Sequence, residues 1–205
     1  FGDVTWRADG SEVVFTYIES GHRVARVIGV DAASGVARVD IEEAPETFFD
    51  YAHKMHFEPI RGMREAIWMS ERSGWNHLHR YDLATGEDLG PITAGSWVVR
   101  GIERVDHEAE QIWFRAMGVF PDQDPYHVHF GSVGFDGEGL TWLTRGNGTH
   151  TVQYSPGGEY LIARHSRADL APVHELRRAR DGSLIMERSR AATEELVAAG
   201  RRPPE

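Results

Sequence analysis

Trp68-Met69-Ser70-Glu71-Arg72-Ser73-Gly74-Trp75-Asn76-His77-Leu78-His79-Arg80-Tyr81-Asp82 reads as two short strands joined by a tight turn at Ser73-Gly74. Aromatic Trp68, Trp75 and Tyr81 stand on the flanks of that turn, and a second turn follows at Thr85-Gly86. Just upstream, Met55-His56-Phe57 and Ala66-Ile67 extend the pattern to a unit of three or four β-rich runs. The same grammar recurs three more times. Val4-Thr5-Trp6, Val13 to Tyr17, Val24 to Ile28 and Val36 to Val39 precede it, with turns at Asp9-Gly10 and Ser34-Gly35. Gly101 to Val105, Gln111 to Arg115, Tyr126 to Phe130 and Asp136-Gly137 follow it. The last unit has Val152-Gln153-Tyr154, Tyr160 to Ala163, Val173 to Leu176 and Asp181-Gly182. The late turn glycines Gly35, Gly86, Gly137 and Gly182 are spaced by 51, 51 and 45 residues, a regularity that independent turns would not produce.

A unit of roughly 40–50 residues with four short antiparallel strands marks a propeller blade. A sandwich or barrel also has short strands, but gives no reason for turns to recur at a fixed interval. The expected fold is therefore all-β: a β-propeller fragment of about four blades, each a four-stranded meander, over residues 4–40, 55–93, 98–144 and 150–188. Residues 189–205 read differently. Ala191, Ala192, Leu196, Val197, Ala198 and Ala199 surround Glu194-Glu195, with Gly200 placed to stop a short helix and Pro203-Pro204 to prevent its continuation. The expectation is a helix and a linker leaving the array.

Thirty-two acids against 22 bases give a formal charge of −10, which repels a phosphate backbone, so no nucleic-acid partner is expected. No apolar run approaches the roughly 18 residues a membrane span needs. The first residues, Phe1-Gly2-Asp3-Val4-Thr5-Trp6, lack signal-peptide features and open directly in a strand pattern, as if cut from a longer chain. Cysteine is absent, which removes disulfides and thiolate chemistry. Lys54 is the only lysine, which reads as a GC-rich bacterial coding bias; a periplasmic and a cytoplasmic location both remain open.

Several phrases resemble dipeptidyl peptidase IV-type propellers, within the prolyl oligopeptidase-type serine peptidases. Trp68 to Leu78 is similar to that family's "SERDGYNHLY" strand pair, and Ile92-Thr93-Ala94-Gly95-Ser96-Trp97-Val98-Val99 to its "LTSGDWEV" stretch. Gln111 to Ala116 resembles its "VYFTA" strand, and Ser155-Pro156-Gly157-Gly158-Glu159-Tyr160 its "SPDGKY". These occur in the family's order from about Val4 to Leu184. The resemblance implies the C-terminal half of an eight-bladed propeller, followed by an α/β-hydrolase domain that removes N-terminal dipeptides from peptide substrates. The propeller would roof the active site and gate peptide access. A stand-alone propeller scaffold for protein binding is the alternative reading.

No catalytic residue is assigned, because the Gly-x-Ser-x-Gly nucleophile elbow occurs nowhere in the chain. Glu42-Glu43 resembles the family's amine-gripping glutamate pair in composition, but stands in the wrong repeat; a solvated turn is expected. The resemblance places a substrate-lining aromatic in the loop before Met55, where Phe48, Phe49 and Tyr51 are the candidates for an apolar wall; packing between blades is the competing reading. His77-Leu78-His79 and His127-Val128-His129 are the weak metal candidates, since strand alternation points both histidines of a pair to one face. Their placement in successive repeats argues against convergence, so neither a metal nor another cofactor is expected. A metal-dependent hydrolase built on these pairs would require bound zinc. Asn147-Gly148-Thr149 fits a glycosylation sequon, Asp122 and Asp124 a polar hairpin tip, and Arg177, Arg178 and Arg180 a solvated edge or a contact for an adjoining hydrolase domain. Open edges of a partial ring leave room for a homodimer.

Overall fold

The computed structural model describes residues 2–46, 48–52, 54–190, 192 and 198–200. Among the described residues, sixteen strands form four antiparallel sheets, each a meander in sequence order. The first blade contains β1 (Gly2–Trp6), β2 (Glu12–Ile18), β3 (Ala25–Asp31) and β4 (Ala37–Glu43). The second contains β5 (Phe57–Ile60), β6 (Glu65–Ser70), β7 (His77–Asp82) and β8 (Asp88–Pro91). The third contains β9 (Val98–Asp106), β10 (Gln111–Met117), β11 (Val128–Gly134) and the two-residue β12 (Thr141–Trp142). The fourth contains β13 (Thr149–Tyr154), β14 (Tyr160–Ser166), β15 (Val173–Arg178) and β16 (Leu184–Arg190). This is the propeller fragment of about four blades that the repeat implies.

A lone meander has two faces and can bury neither by itself, so the blades stack. Alternation along β6 shows how. Ala66 and Trp68 enter the seam with Val14, Val27 and Ile41 of the first blade. Ile67 and Met69, one residue out of phase, enter the seam with Ile112, Phe114 and Val133 of the third. All four β6 side chains are buried. Trp97, Phe114 and Trp142 pack edge and face at centroid distances of 5.1–5.9 Å in that second seam. A third, smaller core joins Leu143 to Leu161, Ala163 and Ala179. Fully burying one such aliphatic or aromatic side chain contributes about 1.5–3 kcal/mol.

Polar ties reinforce the seams from the rim. Arg7 donates across the first seam to the Met63 carbonyl (2.8 Å), and Arg38 to that of Leu83 (3.1 Å). Both guanidinium groups also hold the buried Glu12 carboxylate. Across the second seam Arg61 grips Glu110 with two parallel hydrogen bonds of 2.8 and 2.7 Å.

The repeat glycines have a structural task beyond turning the chain. Gly86, Gly137 and Gly182 sit at positive φ between the third and fourth strands of their blades, each against the main chain of the preceding blade. A Cβ on Gly86 would meet the Asp40 carbonyl at 3.0 Å, one on Gly137 the Ile92 carbonyl at 3.2 Å, and one on Gly182 the Leu143 Cα at 2.6 Å. Gly35, in the first blade, faces open space.

Three expectations need correction. Met55 and His56 precede β5 rather than opening a strand. Tyr126 and His127 lie outside β11, because Asp124 turns the chain by accepting from the Tyr126 amide (2.8 Å) and the His127 amide (3.0 Å). Ser189 and Arg190 belong to β16, where they pair with β15, so no helix starts at Ser189. Most of the expected helix, residues 191 and 193–197, and the linker at 201–205 lie outside the described residues.

Two substitutions separate turn strain from blade packing. Gly35→Ala should cost about 1 kcal/mol, the strain of a side chain at positive φ. Gly182→Ala should cost about 3 kcal/mol or more, because backbone of the third blade must also move. Urea unfolding of both variants measures the difference.

Candidate functional site

The segment from Ala44 to His56 connects the first blade to the second. Its anchor is a backbone hydrogen bond from the Phe49 amide to the His22 carbonyl (2.7 Å), which ties it to the β2–β3 turn. With that amide fixed, the Phe49 ring is buried in the first seam, stacked on Trp68 at 6.3 Å. Phe48 and Tyr51 turn outward, 52% and 45% exposed, and pack around the His22 ring at 5.5 and 4.8 Å. The three wall candidates thus divide: Phe49 packs between blades, while Phe48 and Tyr51 present an aromatic surface. His22, which the sequence did not single out, completes it.

Beside Phe49 lies a cleft of about 400 Å³ lined by Glu42, Glu43, Glu46, Asp50, Glu71, Lys54 and Arg72 among others. Most of its charges are already paired. Lys54 holds Glu71 (2.9 Å) and Asp50 (3.4 Å), and the Glu71 hydrogen bond raises the lysine above its ordinary pKa. Arg72 joins Glu43 (2.9 Å) and Asp88 (2.6 Å). Glu43 is buried and also accepts from the Ser70 hydroxyl (2.8 Å), whereas exposed Glu42 pairs with Arg26 (2.6 Å). The two glutamates are adjacent on β4 and differ in burial, and each is held by its own arginine. They do not form one amine-gripping pair, and neither is in a solvated turn.

The histidine pairs lie in different blades. His77 Nδ1 bonds the Thr93 hydroxyl and Nε2 the Gly95 carbonyl, both at 3.0 Å, with the ring edge-on to Trp97. His79 approaches Asp88 at 3.3 Å. His129 is buried on β11, while His127 lies before that strand. Among the described residues, no group of three or more His, Asp or Glu side chains is arranged to hold a metal. His129 instead meets His150, which in turn meets His165, a cluster that the sequence reading missed. Arg177 is committed to Glu175 (2.9 Å) and the Gly182 carbonyl (2.6 Å), and Arg180 to Asp181 (3.1 Å).

Residues 1–172 match the dipeptidyl peptidase IV (DPP IV) N-terminal region. The chain belongs to this family. The dipeptidyl peptidase 4 of Arthroderma otae is 25% identical over 185 residues, covering 88% of this chain and 23% of that protein. That of Trichophyton rubrum is 24% identical over 190 residues, again 88% of this chain and 23% of its own length. The crystal structure of Porphyromonas gingivalis dipeptidyl peptidase 4 superposes with a TM-score of 0.72 at 18% identity, over 96% of this chain and 27% of that one. The chain therefore spans about a quarter of the curated relatives it matches, as part of the N-terminal propeller region of a DPP IV-like protein. Those curated relatives are fungal, and the bacterial source read from the arginine bias gains no support from them.

The division of the loop is measurable. Phe49→Ala should destabilise by about 3–5 kcal/mol, as for a buried aromatic. Phe48→Ala should stay within about 0.5 kcal/mol of the parent, as for an exposed residue. Equilibrium denaturation compares the two.

Proposed function

We propose that this chain is the non-catalytic wall of the peptide chamber in a DPP IV-like serine peptidase. It roofs the active site, limits entry to short or unfolded peptides, and so gates release of N-terminal dipeptides by the full-length enzyme. The observation that carries this reading is the family match over residues 1–172. The 205 residues hold no Gly-x-Ser-x-Gly elbow, so the nucleophile and its oxyanion hole belong to an α/β-hydrolase domain of the parent polypeptide. Phe48 and Tyr51 supply the wall contact: their exposed rings offer apolar area at low entropic cost to an extended peptide. Phe49 serves by holding the loop down.

Full-length enzyme carrying Phe48→Ala and Tyr51→Ala should show KM raised by about three- to tenfold for longer peptides, the effect of losing ~1 kcal/mol of contact. kcat on a Gly-Pro-type chromogenic dipeptide substrate should be unchanged. No change for either substrate would remove the wall role. The isolated chain should not turn over that chromogenic substrate at all, and turnover would overturn the domain assignment.

The end blades favour a second property, association of isolated chains. Val4, Trp6, Val36 and Val39 are exposed on the first blade, and Tyr160, Ile162, Leu184 and Met186 on the fourth. Such apolar surface on a sheet lacking a neighbour invites pairing with another copy. Sedimentation velocity should show a concentration-dependent dimer; a monomer at every concentration would exclude it.

A further inference from the structure

The third seam is built differently from the other two. Its apolar core is small, and beside that core three mutually tilted imidazoles line up across the join between blades. His129 comes from β11, His150 from β13 and His165 from β14, with ring centroids 4.9 Å apart at each step. His150 and His165 are direct partners in the β13–β14 register. All three are buried, at 1%, 2% and 8% exposure. Phe120 closes the His129 end edge-on at 4.8 Å. At the other end Gly146 lies flat on His165, so close that a Cβ would stand 2.9 Å from the ring.

The surroundings of His129 and His150 suit neutral rings. His150 Nδ1 lies 3.3 Å from the Val128 carbonyl across the seam, but its Nε2 has no hydrogen-bond partner, and His129 has only the Thr144 main chain beside it. Burial accordingly pushes His129 down to about 4 and His150 to about 3, from an ordinary 6.5. The neighbouring charges do not help. Arg177 on β15 adds positive potential at His150. Glu175 comes within 4.0 Å of His165 Nδ1, but its carboxylate already accepts from Arg177 at 2.9 Å. His127 lies beside His129 from the chain preceding β11 and adds positive potential when protonated. Asp169, which acts on His127, is paired with Arg167 at 2.8 Å.

We infer that the third seam is an acid-sensitive joint: protonation of His129 and His150, at the heart of this cluster, releases the fourth blade from the third, while the first three blades stay packed. Burial also pushes His56, His77 and His79 below the ordinary 6.5, but these rings do not stack on one another across a join between blades. Both nitrogens of His77 face oxygen atoms, and His79 Nδ1 faces Asp88. The first seam titrates the other way. Burial raises Asp40 to about 6, so its protonated form suits the packed state; that contribution is present in acid and lost as pH rises through about 6. For His129 and His150 the sign is opposite. An opened seam takes up protons below about 6.5, the packed one only below about 4 and 3. The ratio of packed to opened seam therefore falls by up to about tenfold per pH unit for each of the two histidines as pH drops through that window.

Hydrogen exchange read by mass spectrometry on the full chain, corrected for intrinsic rates, tests this at pH 7.5 and 5. Amides of β13, β14 and β15 should lose protection about tenfold or more at pH 5, while those of β2 and β6 hold. A His129→Phe, His150→Leu double variant should flatten the response. Should that variant not fold, ring titration of the parent protein by NMR gives the same answer, with His129 and His150 remaining neutral well below 6.5. Equal loss in all four blades, a pH response that the variant retains, or all three rings titrating near 6.5 would overturn the inference.

Discussion

Every other feature of this molecule depends on one constraint: a four-stranded meander has two apolar faces and can cover neither alone. Stacking resolves it, and β6 shows the cost in sequence terms. Ala66, Ile67, Trp68 and Met69 are all apolar because both faces of the second blade are interior. In the end blades burial alternates instead, as along β14, where Leu161 and Ala163 are buried and Tyr160 and Ile162 meet solvent. Stability in such an array is a sum over seams rather than the property of one central core.

The seams are therefore separate places at which different chemistry can be installed. The first combines an apolar core with two arginines that bridge buried carboxylates and reach carbonyls of the next blade. The second is aromatic, with Trp97, Phe114 and Trp142 in mutual contact and the Arg61–Glu110 pair at its rim. The third replaces much of its hydrocarbon with imidazole. The connecting loop over the first seam uses the same economy: burying Phe49 positions the main chain from which Phe48 and Tyr51 project.

The array itself was legible in the sequence because it rests on local signals, namely turn glycines at positive φ and short β-rich runs between them. Errors arose where a specific turn overrode the pattern. Tyr126 and His127 look like the start of a strand, yet Asp124 caps them into a bend. The loop at 48–51 has no periodicity, so nothing in it distinguished the buried Phe49 from the exposed Phe48. The histidine cluster needed more still. His150 and His165 become neighbours only through the β13–β14 register, and His129 joins them only when two blades meet. Residues brought together by stacking leave no spacing in the chain to read.

The glycines of the last three blades point to a different kind of control. Where Gly86, Gly137 and Gly182 touch the previous sheet, main chain approaches main chain with only hydrogen between them. The fan angle of the array is thus governed by a gap narrower than a methyl group, one gap for each step. A lineage that filled those gaps would have to splay its sheets, and a splayed set would need a different number of blades to come full circle.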